Sequence, residues 1–141
     1  MIVRCSYEEL AALRSGVRVC LGSEVGAPVP AVMAPPESRA DVEALAPRLE
    51  GDLSVTTLAE VRAVDGAVTT IVECLRAEME AAVVMTHPAG ETAVSAYFDF
   101  AHALSVLHRL AEVSAEMTAM IELVTGQPPT ESAARTFDFP D

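Results

Sequence analysis

Three residue types are missing from this 141-residue chain: lysine, asparagine and tryptophan. All nine of its bases are therefore arginine, a bias that GC-rich coding accounts for. Without lysine there is no amine for Schiff-base chemistry and no side-chain ammonium to grip a phosphate. Cysteine is scarce and scattered. Cys5, Cys20 and Cys74 are odd in number and form neither a CxxC nor a zinc spacing. They read as reduced, buried thiols of a cytoplasmic protein. No apolar run approaches the ~20 residues that a membrane span needs, and no secretory leader follows Met1. A phosphate-cradling loop is also lacking, because Gly22-Ser23-Glu24-Val25-Gly26 has neither the spacing nor the lysine.

What is present is acid and hydrocarbon. The chain carries 21 acids against 9 bases, a formal charge of −12, yet its mean hydropathy is +0.33. The apolar residues must be concentrated rather than diluted. An acidic balance argues against nucleic acid and anionic membrane surfaces as partners, and it permits a basic protein. The length suits one domain with a real core.

The concentration lies in two long helical patterns, over about residues 57–85 and 91–125, broken at His87-Pro88-Ala89-Gly90. Thr57 with Glu60 makes a capping box at the first start. Pro88 biases His87 away from the α region, and Gly126 followed by Pro128-Pro129 stops the second helix. Asp65-Gly66 is a possible break in the first.

The second helix keeps one narrow polar stripe, including Glu91, Asp99, His102, Arg109 and Glu112. Leu104, Leu107, Met117, Met120 and Ile121 lie on the rest of its circumference. Its apolar face is about twice the ~100° of an ordinary surface helix. The first helix has a bulky face, which includes Leu75, and a ridge of small residues, which includes Ala63 and Ala67. Small residues let two backbones approach closely, although alanine also marks an exposed helix by propensity alone.

A helix of about 35 residues is ~52 Å long, whereas a compact chain of this length is only ~37 Å across. The expected fold is therefore mainly α. It is a long antiparallel hairpin under a small N-terminal α/β cap, completed as a helical bundle by self-association, most simply as a homodimer. The expected interface is Ala63, Ala67, Leu75, Leu104, Leu107, Met117, Met120 and Ile121.

The remaining segments divide as follows. Residues 1–21 read as a β-α-β-like cap: a strand at the start, a helix opened by the Ser6–Glu9 capping box and ended by Ser15-Gly16, then a second strand over 17–21. Residues 22–36, with four prolines and alanines and valines between them, read as a linker. A short helix over 37–45 opens the helical body of residues 37–125. Residues 126–141 read as a polar tail whose Phe137 and Phe139 alternate, so that an extended chain points both to one side. That geometry suits docking into an apolar groove of a partner or of the chain's own hairpin.

Chemistry is thinly represented. In a closed hairpin Glu73 lies near His102 and His108, with Glu112 one turn beyond. Carboxylates and histidines between facing helices are how bundle metal sites are built. The Glu-x-x-His motif of such sites is absent, however, and the two histidines stand ~120° apart on the wheel. Cys74 beside His108 is the one nucleophile–base pair that can be constructed, and its alanine surroundings suit a small buried hydrophobe better. The expected function is a non-enzymatic acidic assembly or adaptor protein without a cofactor. It would bind itself and a protein partner, with no nucleic acid and no membrane. One alternative is a metal- or small-molecule-binding bundle using Glu73, His102, His108 and Glu112. Another is an acidic inhibitor that covers a basic partner.

Overall fold

The computed structural model describes residues 1–22, 36–85 and 90–139. Along the chain it has β1 (Ile2–Val3), α1 (Tyr7–Leu21), α2 (Pro36–Leu45) with a 3-10 turn (Ala46–Arg48), and β2 (Leu53–Ser54). The long helices α3 (Leu58–Met85) and α4 (Glu91–Thr125) follow, and α5 (Glu131–Thr136) comes last. The fold is mainly α, built on the antiparallel α3–α4 hairpin with a two-strand sheet beside its base.

The helix starts were written locally. Ser6 Oγ accepts from the Glu9 amide at 3.1 Å, and the Glu9 carboxylate accepts from the Ser6 amide at 2.8 Å. Both halves of the expected capping box are thus made. At α3, Thr57 Oγ1 accepts from the Glu60 amide at 3.1 Å. The Glu60 carboxylate accepts instead from the Thr56 amide and hydroxyl, and Arg48 donates to it at 2.9 Å. One glutamate therefore fastens the end of α2 to the start of α3. Gly22 and Gly126 stand in the left-handed region, with φ of 70° and 72°, and end α1 and α4.

Three local expectations are corrected. Ser15-Gly16 does not end α1, and residues 17–21 are helix rather than strand. Leu10, Leu13, Val17 and Cys20 are all buried on one face, and that spacing of three and four is a helical stripe. Gly16 is needed there for approach: a Cβ on it would stand 2.3 Å from Ile71 Cγ2 of α3. The first strand consequently finds its partner much later in the chain, in an antiparallel pair of Ile2 with Ser54 and Val3 with Leu53. Nor does Asp65-Gly66 break α3, which is continuous over 28 residues. The helix expected over 37–45 is present and begins at Pro36. Residues 23–35 of the linker and 86–89 of the hairpin break lie outside the described residues.

The core is one cluster drawn from every helix. α1 packs on both α3 and α4, while α2 and α5 pack on α3. Leu13, Leu49, Leu58, Ile71, Leu110 and Met117 are among its fully buried side chains. The base of the hairpin is sealed by both ends of the described chain. The Met1 amine donates to Val55 O at 2.9 Å, and the Phe139 amide donates to Thr56 O at 2.8 Å.

Candidate functional site

The expected interface residues divide into two groups. Ala67, Leu75, Met117 and Ile121 are buried in this chain's own core and cannot meet a second copy. Leu104, Leu107 and Met120 are half-buried and pack against that core. Ala63 is exposed beside α2, in a shallow groove with Asp41, Ala44, Leu45 and Arg48. A helical wheel counts the apolar circumference but does not say what covers it. Here α1, α2 and α5 take the place assigned to a partner hairpin.

Of the two occupants expected for the tail, a partner or the chain's own hairpin, the structure shows the second. Thr130 caps α5 by accepting from the Ala133 amide at 3.1 Å, and the chain then turns back onto the hairpin base. Phe139 is only 3% exposed, and its ring lies 4.7 Å from that of Phe137. Both side chains are engaged within the chain, so the tail is not a free docking motif.

Glu73, His108 and Glu112 are exposed and His102 is half-buried. Among the described residues, no group of three or more His, Cys, Asp or Glu is placed to hold a metal ion. Cys74 is buried and hydrogen-bonds Cys20 between α3 and α1. Cys20 also donates to Thr70 O at 3.9 Å. The bond to Cys74 and burial push the Cys20 thiol up, while the same bond holds Cys74 below the ordinary thiol value.

The polar residue with the largest structural part is Arg109, which the sequence placed only on the polar stripe of α4. It pairs with Glu9, the one buried charged side chain among the described residues, and donates to Arg4 O. Burial alone would raise the Glu9 carboxyl. The Arg109 bond and those from Ser6 outweigh it and hold the group below the ordinary carboxylate range. The sequence signal for this ion pair was weak, since Glu9 already had a role in the capping box. The pair ties β1, α1 and α4 together, which is structural work.

Leu123 and Val124 are exposed near the C-terminus of α4, but most of the exposed apolar surface of the hairpin is at its far end. Val83, Val84 and Met85 of α3 are exposed, and so are Val94, Tyr97 and Phe98 of α4. Val84 is 83% exposed, and Tyr97 and Phe98 are each 55% exposed. Met79, Val83, Ala93, Val94, Tyr97 and Phe98 line an apolar groove of about 320 Å³. Tyr97 and Phe98 meet edge to face at 5.9 Å, which fixes both rings at its rim. The other side of the same helix pair is polar, lined by Glu78, Glu91, Ser95 and Asp99, with Ser15 contributed by α1. No residue of α1, α2 or α5 lines the apolar groove.

With ~150–250 Å² for a whole aromatic side chain, these six side chains offer roughly 600 Å² of apolar surface. That is at the top of what an ordinary monomer leaves open, and patches of this size mark interaction sites. Acids surround it. Between residues 70 and 100 the chain has five acids, Glu73, Glu78, Glu80, Glu91 and Asp99, and a single base, Arg76. The Arg76 guanidinium lies over the Phe100 ring, 5.4 Å from its centroid. Among the described residues, no helix is long and apolar enough to cross a membrane. No protein-family model matches the chain, and neither a curated protein nor a solved structure matches it.

Proposed function

We propose that this chain is a non-enzymatic interaction module, an assembly or adaptor protein, that engages another polypeptide through the uncovered end of its α3–α4 hairpin. The observation that carries the reading is the apolar cluster of Val83, Val84, Met85, Val94, Tyr97 and Phe98, six large apolar side chains left open at one end of the hairpin, against two, Leu123 and Val124, at the other end of α4. Burying a large apolar side chain is worth ~1.5–3 kcal/mol. Six left in water at one place are a standing driving force for association. The base, by contrast, is stitched shut, so the module is rigid at one end and adhesive at the other.

The test is site-specific photocrosslinking in the source cells, with a photoreactive phenylalanine analogue at position 98 and, as control, at the still more exposed Tyr7. A discrete adduct at 98 alone supports the reading. The polypeptide in it must then bind the purified wild type and not a Phe98→Glu variant. Crosslinking that is equal or absent at both positions overturns it. A second copy of this chain in the adduct would make the protein a self-assembling one, as the sequence first suggested.

A further inference from the structure

The interaction end has a shape, a size and a charge, and together they narrow its partner. The shape is a groove between two antiparallel helices, lined by Met79 and Val83 on one side and Val94, Tyr97 and Phe98 on the other. Side-chain ridges of a third helix fit such a groove at ~8–10 Å between axes. The size, roughly 600 Å² on this chain, falls below the ~800 Å² per partner of a standard protein–protein interface. It matches what one amphipathic helix covers by placing anchors at i, i+3 or i+4 and i+7.

The charge decides between a second copy and a different chain. Glu80 lies one turn before Val83 and Val84 on α3, and Glu91 lies one turn before Val94 on α4. Both are exposed, as is Glu73 two turns further from the tip. A two-fold dimer through this end would bring the acids of one copy against those of the other, between chains that each carry −12. Like charges so placed oppose association. Arg76, the one base of this half, already sits over Phe100. An anionic lipid surface is disfavoured on the same ground.

Resting on the interaction reading above, we propose that the hairpin end binds a cationic amphipathic helix of a partner protein. Its apolar stripe lies in the groove against Val83, Val94, Tyr97 and Phe98, and its arginines and lysines face Glu73 and Glu80. The apolar contacts hold the helix, and the acids select its charge and speed its approach.

The experiment uses the full chain and three labelled peptides of about 18 residues, long enough for five helical turns. One has leucines at helical spacing among lysines, the second has glutamates in place of the lysines, and the third is a scramble of the first. Binding is read by fluorescence anisotropy, with circular dichroism confirming that each protein variant keeps its helices. The cationic amphipathic peptide binds, the acidic one does not, and the scramble binds about tenfold more weakly or worse. Tyr97→Ser with Phe98→Ser, and separately Glu73→Lys with Glu80→Lys, each weaken binding by about tenfold. Raising salt from about 0.05 M to about 0.5 M weakens the wild type and leaves the double-lysine variant little changed.

Equal binding of the scramble, or indifference to the aromatic variant, reduces the effect to general attraction by an acidic surface and overturns the proposal. So does binding that appears only when residues 25–33 are replaced by glycine and serine, since the groove's occupant is then this chain's own 23–35 segment. If no peptide binds but the chain self-associates in sedimentation and Phe98→Ser abolishes it, the partner class is wrong and the interaction reading stands. If neither occurs, both fall.

Discussion

Two glycines in helix interiors should respond to the same substitution with opposite signs. Alanine is favoured over glycine in a helix by ~0.8–1.0 kcal/mol, so propensity alone predicts that Gly16→Ala and Gly66→Ala both stabilise. Gly66 is exposed, and a Cβ there meets nothing within 4 Å. The full propensity gain should appear. At Gly16 the new Cβ would lie 2.3 Å from Ile71 Cγ2 and 3.2 Å from Leu75 Cδ1, against a normal carbon–carbon contact of ~3.5–4.0 Å.

Ile71 is fully buried and β-branched, so its rotamer is held by its own helix. Relief must come from α1 moving outward by about 1 Å, which loosens Leu13 and Cys20 as well. Overpacking of this kind costs ~1–3 kcal/mol, which more than offsets the propensity gain in most of that range. At roughly 3–5 °C per kcal/mol for a domain of this size, Gly66→Ala should raise the melting midpoint by about that amount. Gly16→Ala should lower it, by up to about twice that amount. Thermal unfolding followed by circular dichroism reads both. Shifts in the same direction would refute the close α1–α3 approach.

Glu9 has a depressed carboxyl pKa, so its ion pair stabilises the fold above the ordinary value of 4.5, and that contribution is lost as pH falls below it. Urea midpoints of wild type and Glu9→Gln should therefore differ at neutral pH and converge in acid. Asp65 behaves in the opposite way: burial raises its pKa from 3.8, so its charged form costs stability at neutral pH. Asp65→Asn should raise the urea midpoint near pH 7 and lose that advantage below about pH 4. Phe139→Ala should cost ~3 kcal/mol or more, as loss of a buried phenylalanine does, measured by denaturant unfolding. A variant with an unchanged midpoint would show that the tail does not close the base in solution.

Local signals carried most of the architecture. The capping residues Ser6 and Thr57, the stops at Gly126 and Pro128, and the apolar period of α3 and α4 all act within a few residues, so the hairpin was legible. Gly16 and Gly66 were misread because glycine between apolar positions serves equally as a helix end or as a place for close approach. Only the neighbouring helix decides between these, and Ile71 is far away in sequence. The same blindness to distant packing put Leu75, Met117 and Ile121 at an expected interface and left open whether Phe139 docks on a partner or on its own hairpin. The end cluster was half legible. The excess apolar circumference of α4 was visible, but which part of it would stay uncovered depended on where α1, α2 and α5 would lie.

The stitching of the hairpin base also sets an order in time. Val55 and Thr56 receive their last backbone partners from residue 1 and residue 139. As the chain emerges from a ribosome, α3 and α4 can pair by local contact once residue 125 is free, and the groove at their tip is then complete. The base must wait for Phe139. For that interval the nascent protein presents a finished adhesive end and an unfinished core. On the reading proposed above, a partner helix already present is captured before Phe139 docks, and assembly precedes the final locking of the fold.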